Sequence, residues 1–213
     1  MKLTHHFFTP PVIPVAEADG LIKLSDLKDD VIVQFPVWKY AQPTDAYQLV
    51  FNGLSVGKRA ALPHPVPEGL LTLTIPLALL DVEGVHTVAY STIRFPGGVP
   101  EYSPATTIRI DRTAPGAALL APLIFSNTHE PFSAHIPGYA GMAVGDTLQT
   151  ICNGLSGPTY ITSSDDLNTQ LMKIDFSREF LQSLNSAEIE LTYHVTDRAG
   201  NQSRLAWPVN LTV

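Results

Sequence analysis

Asp45-Ala46-Tyr47-Gln48-Leu49-Val50-Phe51-Asn52-Gly53-Leu54-Ser55 decides the fold, because its frame is written a second time. The second copy is Asp146-Thr147-Leu148-Gln149-Thr150-Ile151-Cys152-Asn153-Gly154-Leu155-Ser156. Asp, Gln, Asn, Gly, Leu and Ser recur at a constant offset of 101 residues with no gap. Upstream, Pro36 and Trp38 meet Pro137 and Tyr139 at the same offset. Tyr47–Phe51 and Gln149–Cys152 are short and rich in β-branched or aromatic residues, as strands are. Each runs into Asn-Gly, which readily takes the two positive-φ positions of a type I′ turn and so marks a hairpin.

Outward from this frame the match continues with small slips. Val88-Ala89-Tyr90-Ser91-Thr92 resembles Leu191-Thr192-Tyr193-His194-Val195, with the tyrosines 103 residues apart. The endings Thr107–Ile110 and Pro208–Leu211 are expected to return to 101, and Thr9-Pro10-Pro11 corresponds to the entry Thr113-Ala114-Pro115. The expected organisation is a tail over 1–9, one domain over 10–112 and a second over 113–213. Pro115 fixes its own φ and biases Ala114 toward extended conformations, which makes Asp111–Pro115 a short, semi-rigid junction.

Further strands are expected at Val31–Phe35, Leu71–Ile75, His86–Tyr90 and Glu188–Tyr193, bounded by Pro36, Pro76, Gly84 and Asp197-Arg198-Ala199-Gly200-Asn201. Only Leu77–Asp81 and Ser177–Leu184 read as helical, one or two turns each. About seven strands per 100 residues with frequent turns is the immunoglobulin-like pattern. The expected fold class is therefore all-β, two tandem immunoglobulin-like β-sandwich domains. Cys152 stands where the first copy has Phe51 and is the single cysteine. It excludes an internal disulfide and a multi-cysteine metal site, and reads as a buried, inert thiol.

Composition agrees. Of 213 residues, 45% are hydrophobic and only 15% charged, which allows real cores and argues against disorder. The 18 prolines disfavour a helical protein. Thirteen Lys and Arg against 20 Asp and Glu give a net charge of −7, with no basic stripe for nucleic acid. The balance is uneven: residues 1–113 hold 9 of the Lys and Arg, residues 114–213 only 4. No apolar run reaches the length of a membrane span. The start, Met1–Phe8, lacks the sustained apolar core of a signal peptide. A cytoplasmic chain, a piece of a longer exported protein at the cell surface or outside the cell, and export without an N-terminal signal all remain open.

The junction Asp111-Arg112-Thr113-Ala114-Pro115, the segment Gly145-Asp146-Thr147-Leu148 and the run Tyr193-His194-Val195-Thr196-Asp197-Arg198-Ala199-Gly200-Asn201-Gln202-Ser203 together carry a resemblance. They look like tandem bacterial immunoglobulin-like repeats of large adhesin- and invasin-type surface proteins. The resemblance implies a spacer or stalk, with ligand binding in some members, no inherited active site and no cofactor. The first copy departs from the pattern twice. Pro43-Thr44-Asp45 replaces the Gly-Asp pair, and Phe95-Pro96-Gly97-Gly98-Val99-Pro100 replaces the Asp-x-Ala-Gly-Asn hairpin.

Candidate chemistry is sparse. Gly53-Leu54-Ser55-Val56-Gly57 fits G-x-S-x-G, but a nucleophile elbow needs a strand–turn–helix, and Lys58–Pro63 is too short for that helix. A hairpin turn is the expected role, and no catalytic residue is assigned. His129-Glu130 with His135 has the wrong spacing for a zinc helix, and Pro131 would disturb it. His86 and His194 read as sheet-face residues, and His5-His6 as part of a loose tail. Asp111, Asp165, Asp166 and Asp197 raise a calcium hypothesis at the domain junction, against which Asp165-Asp166 reads as a solvated acidic turn. Asn201-Gln202-Ser203 and Asn210-Leu211-Thr212 match a glycosylation acceptor pattern, relevant only in a eukaryotic secretory setting. Trp38, Tyr40 and Tyr139 are the candidate ligand-binding residues, with Trp207 a further aromatic, since aromatics on a sandwich can stack on sugar rings. A glycan or a protein is the partner this would serve.

Overall fold

The structure, a computed structural model, describes residues 8–116, 118–125, 132–169 and 171–212. The chain is all-β with several sheets and divides into two compact units, Met1–Asp111 and Arg112–Val213. Among the described residues no helix is long and apolar enough to cross a membrane.

Unit 1 contains β1 (Leu21–Ile22), β2 (Val31–Pro36), β3 (Ala46–Phe51), β4 (Leu54–Ala61), β5 (Leu70–Ile75), β6 (Gly84–Ile93), β7 (Glu101–Tyr102) and β8 (Thr106–Ile110). One sheet runs β1-β8-β6-β3-β4 with β7 attached to β6, and β2 pairs with β5 in the other. β2 alternates strictly, burying Val31, Val33 and Phe35, so one face is committed to the core. That face meets Leu49, Phe51, Val88, Ile108 and Ile110 from the larger sheet, which makes a β-sandwich. A second cluster joins Phe35, Trp38, Leu62, Leu71 and Tyr90. There Phe35 stacks on Tyr90 at 3.9 Å between ring centroids.

Unit 2 contains β9 (Ile124–Phe125), β10 (Phe132–Pro137), β11 (Thr147–Cys152), β12 (Leu155–Ile161), β13 (Leu171–Phe176), β14 (Glu188–Thr196) and β15 (Val209–Thr212). Its sheets are β12-β11-β14-β15 and β13-β10-β9, enclosing a single cluster that includes Ile136, Leu148, Cys152, Ile174, Leu191 and Tyr193. β10 and β13 alternate as β2 and β5 do. Cys152 is buried, and burial pushes its thiol up to about 11, so it stays protonated at neutral pH.

Strand register corresponds pair by pair. Leu49 faces Tyr90 where Thr150 faces Tyr193, and Phe51 faces Val88 where Cys152 faces Leu191. The last strands follow the 103-residue offset rather than the expected 101, since Arg109 faces Val85 and Thr212 faces Glu188. The inserted residues lie between β13 and β14, and hydrogen bonding carries their shift through the final strand.

The shared frame has a structural reason at each position. Asn52 and Asn153 take φ 49° and their glycines 78° and 79°, the twisted turn a hairpin needs. Each asparagine also reaches sideways. Asn52 Oδ1 accepts the Thr87 N–H at 2.9 Å, and Asn153 Oδ1 accepts that of Glu190 at 2.9 Å. Gln48 and Gln149 donate to the carbonyls of Gly57 and Gly157 beside an irregularity in each hairpin. Asp45 and Asp146 are buried to 1% exposure and accept backbone N–H groups of the preceding turn, from Gln42 and Ala143.

Two segments depart from the sequence reading. Asp165-Asp166 is not a solvated turn but opens α1 (Ser164–Thr169), where buried Asp166 accepts the Ser163 N–H and hydroxyl, each at 2.7 Å, and the Tyr160 hydroxyl. The carboxylate reaching back to the residue before the helix is one half of a capping box. Burial alone would raise the Asp166 carboxyl, but these donors outweigh it and hold it below its ordinary value. The helix expected at Leu77–Asp81 is a 3₁₀ turn over Leu77–Leu79, whereas α2 (Arg178–Ser183) forms with Ser177 as its cap.

Candidate functional site

Ser55 lies within β4, opposite Val50, and the chain continues as strand to Ala61. The strand–turn–helix that an elbow requires is not built there. His86 is buried under the hairpin, stacked on Phe51 at 5.1 Å. Its Nε2 donates to the Val82 carbonyl at 2.9 Å and its Nδ1 accepts from Asn52 at 3.0 Å, which defines the neutral Nε2–H tautomer. His194 is half-buried, and burial lowers its ring below the ordinary histidine value. His5, His6, His129, Glu130 and Pro131 lie outside the described residues. Three of the four aspartates of the calcium hypothesis have other engagements: Asp111 pairs with Arg109 at 3.6 Å, Asp166 caps α1, and Asp197 accepts from the Asn201 side chain at 2.8 Å. Asp165 is exposed on α1. Asn201 is buried in that contact and Asn210 is exposed on β15.

The three candidate aromatics separate. Trp38 is buried, 6% exposed, and edges onto Tyr47 at 6.2 Å. Tyr139 stands at the equivalent position of unit 2, half-buried, with its hydroxyl donating to Asp146 at 2.9 Å. Burial and that carboxylate together raise its phenol far above the ordinary tyrosine value. Tyr40 alone is open to solvent, 65% exposed. Lys39 holds its ammonium 4.9 Å from the Tyr40 ring. Trp207 is exposed in unit 2.

Backbone geometry makes Tyr40 more than a surface residue. In unit 1 two successive turns close with Ala41 N–H on the Trp38 carbonyl and Asp45 N–H on that of Gln42. The third residue of each carries positive φ: Tyr40 at 64° and Thr44 at 75°. Turns of this kind favour glycine there, and unit 2 has Gly141 at 74° and Gly145 at 91° in the same positions. A left-handed conformation costs a non-glycine residue about 1–2 kcal/mol, and a β-branched residue such as Thr is a clear outlier.

Both strained residues border clefts that share Arg94. The smaller, about 50 Å³, is lined by Phe8, Trp38, Lys39, Tyr40, Thr92, Arg94 and Glu101. The larger, about 320 Å³, lies between Thr44, Arg59, Arg94, Phe95 and the Gly97–Pro100 loop. Asp45 fastens that loop to the turn by accepting the Phe95 N–H at 3.2 Å. In unit 2 the corresponding ground is filled differently: a Cβ on Gly145 would sit 2.9 Å from Arg198 Cδ. Both sequence departures contribute to the larger cleft, the first through Thr44 and the second through Phe95, Gly97, Gly98 and Pro100.

No family model matches the chain, and no curated protein matches it. Among solved structures it is similar to a bacterial ice-binding adhesin of 1.5 MDa, from a study of host cell surface retention, at 14% identity and a TM-score of 0.47. That match covers 96% of this chain and 65% of the other. It is also similar to a Ca²⁺-stabilized adhesin with which an Antarctic bacterium binds ice, at 14% identity and a TM-score of 0.45, covering 96% and 48%. A Streptomyces avermitilis α-L-rhamnosidase matches at 14% identity and a TM-score of 0.31, over 95% and 24%. The chain thus spans about two thirds and about half of the two adhesin structures. TM-scores below 0.5 leave fold family and function to the chain's own residues.

Proposed function

We propose that the chain is a non-enzymatic pair of tandem immunoglobulin-like β-sandwich domains, 10–112 and 113–213 after a short tail, serving as a spacer and interaction segment of an adhesin-type bacterial surface protein. Equivalence of register supports the tandem reading: Leu49–Tyr90 and Thr150–Tyr193 are the same pair 101 and 103 residues apart. Strand order supports the immunoglobulin-like reading, with β4-β3-β6-β8 opposite β2-β5 and β12-β11-β14-β15 opposite β13-β10. The adhesin-type reading rests on the junction and hairpin motifs of the sequence. A mechanical role is supported in unit 1, where the first strand β1 pairs in parallel with the last strand β8, a ladder that pulling on the ends loads in shear.

Stretching the chain by its ends in single-molecule force spectroscopy tests this. Two separate unfolding events are expected, each releasing on the order of 330–360 Å for about 100 residues, less the folded end-to-end distance. One event, or a gradual yield without peaks, refutes the spacer of two independent domains. A carbohydrate- or protein-binding module is the second reading, favoured by exposed Tyr40 on the strained turn.

A further inference from the structure

We infer that the end of unit 1 bounded by Tyr40, Thr44, Arg59 and Arg94 is a binding site for an anionic carbohydrate, a glycan carrying carboxylate or sulfate groups. This goes beyond the spacer reading and stands or falls separately from it.

Charge comes first. The chain carries −7 overall, yet the larger cleft is lined by Arg59 and Arg94 and by no carboxylate. The smaller adds Lys39 with the single acid Glu101. Among the described residues neither Arg94 nor Arg59 forms an ion pair, although Arg109, Lys23 and Lys173 elsewhere each do. Two guanidinium groups at one mouth, left without a carboxylate, complement a planar anionic group, which arginine binds through two parallel N–H donors.

Shape and chemistry of the walls then favour a sugar over an acidic peptide. Tyr40 offers an exposed ring on a tight turn closed by the Ala41 N–H on the Trp38 carbonyl, with the Lys39 ammonium over one face of the ring. An aromatic face beside a guanidinium matches an acidic sugar: the ring's C–H face stacks while the carboxylate or sulfate reaches Arg94. Phe95, 71% exposed, provides a second apolar surface, lining the larger cleft with Arg94. The larger cleft, about 320 Å³, lies at the small end of ligand pockets and suits one or two sugar units. A peptide strand would instead add along the open edge of β4, of which only Arg59 lines either cleft.

Strain supplies the independent observation. At the two positions where unit 2 has glycine, unit 1 holds Tyr40 and Thr44 in the same positive-φ conformation. Strained residues of this kind cluster at ligand-binding surfaces, where the side chain rather than the backbone is wanted. Both side chains line the clefts.

Isothermal titration of the whole chain with oligogalacturonate, a heparin-derived tetrasaccharide, a neutral maltotetraose and a polyglutamate peptide tests the site. At least one acidic sugar is expected to bind below 1 mM, more weakly at higher salt, with the neutral sugar and the peptide at least about tenfold weaker. Arg94→Gln should weaken binding about tenfold or more. Tyr40→Gly should weaken it about tenfold while leaving the thermal midpoint unchanged or higher, a combination that a merely structural tyrosine would not give. Absence of binding by both acidic sugars overturns the proposal, as does equal binding of maltotetraose or polyglutamate. Indifference to Arg94→Gln in a folded protein overturns it too.

Discussion

At the third position of two successive turns, unit 1 carries Tyr40 and Thr44 while unit 2 carries Gly141 and Gly145. Between β3 and β6 the two units agree residue for residue in register, and at this end they part. Unit 2 takes the glycines that the turn geometry prefers and lays Arg198 against one of them. Unit 1 accepts the strain and keeps open clefts beside it. One scaffold thus carries relaxed turns in unit 2 and strained ones in unit 1.

Removing the shared buried aspartate should produce the largest contrast. Asp146 accepts the Tyr139 hydroxyl and the Ala143 N–H, so Asp146→Ala orphans a half-buried hydroxyl and the N–H of an exposed turn residue. Each unmet donor costs about 1–3 kcal/mol, giving an expected loss of about 2–4 kcal/mol in unit 2. Asp45 accepts the Gln42 and Phe95 N–H groups, the second on an exposed loop that water can reach, and Trp38 presents no hydroxyl to it. Asp45→Ala is therefore expected to cost less, about 1–2 kcal/mol. Hydrogen exchange read peptide by peptide assigns each loss to its unit. Equal losses would show that the Tyr139 bond contributes nothing.

Exchanging the turn residues comes next. Tyr40→Gly relieves a left-handed tyrosine and should stabilise unit 1 by about 1 kcal/mol, net of lost ring contacts. Gly141→Tyr, at φ 74° with no atom within 4 Å of a built Cβ, should cost unit 2 about 1 kcal/mol from backbone strain alone. Urea denaturation of both variants measures this, and a destabilised Tyr40→Gly would mean the ring is a packing element. That result would remove the strain argument for the binding site.

Much of this was legible in the sequence, for identifiable reasons. Asn-Gly fixes a hairpin through its own φ preferences, and Asp45, Gln48 and Asn52 serve their own strand and its neighbours, so the frame survives wherever that geometry does. Strands such as β2, alternating strictly under one buried face, announce themselves. β4 did not, because it is an exposed edge with burial on neither face, and its Lys58-Arg59 pair reads as loop. α1 was hidden for a related reason: its six residues bury only Asp166, so no apolar period exists to detect. At the candidate site the sequence offered Trp38, Tyr40 and Tyr139 as equals. Solvent exposure separates them, and positive φ at Tyr40 cannot be read from its name, since tyrosine is not a residue expected there. Arg94 was invisible because its meaning depends on a cleft closed by residues from three segments.

The smallest effect expected is acid sensitivity confined to unit 2. His194 sits in β14 at the register position that Ser91 holds in β6, opposite Gln149 as Ser91 is opposite Gln48. Burial disfavours the charged imidazolium, so the folded ring titrates below its ordinary value of about 6.5. Between those two values the unfolded chain binds more protons than the folded one. Unit 2 should therefore lose stability as pH falls through the ordinary histidine value of about 6.5, with no further loss from this group once the folded ring is protonated too. Asp166 acts lower down: its folded carboxyl is held below about 3.8, so its contribution is present above that value and vanishes as pH falls through the folded one. Ser91 does not titrate, and unit 1 crosses between the corresponding strands at 63–69 without a capping carboxylate buried there. Urea midpoints for unit 2 followed from pH 8 to pH 3 should show two declines. His194→Gln should flatten only the upper one and Asp166→Asn only the lower, and a single decline untouched by either variant would place the acid lability elsewhere.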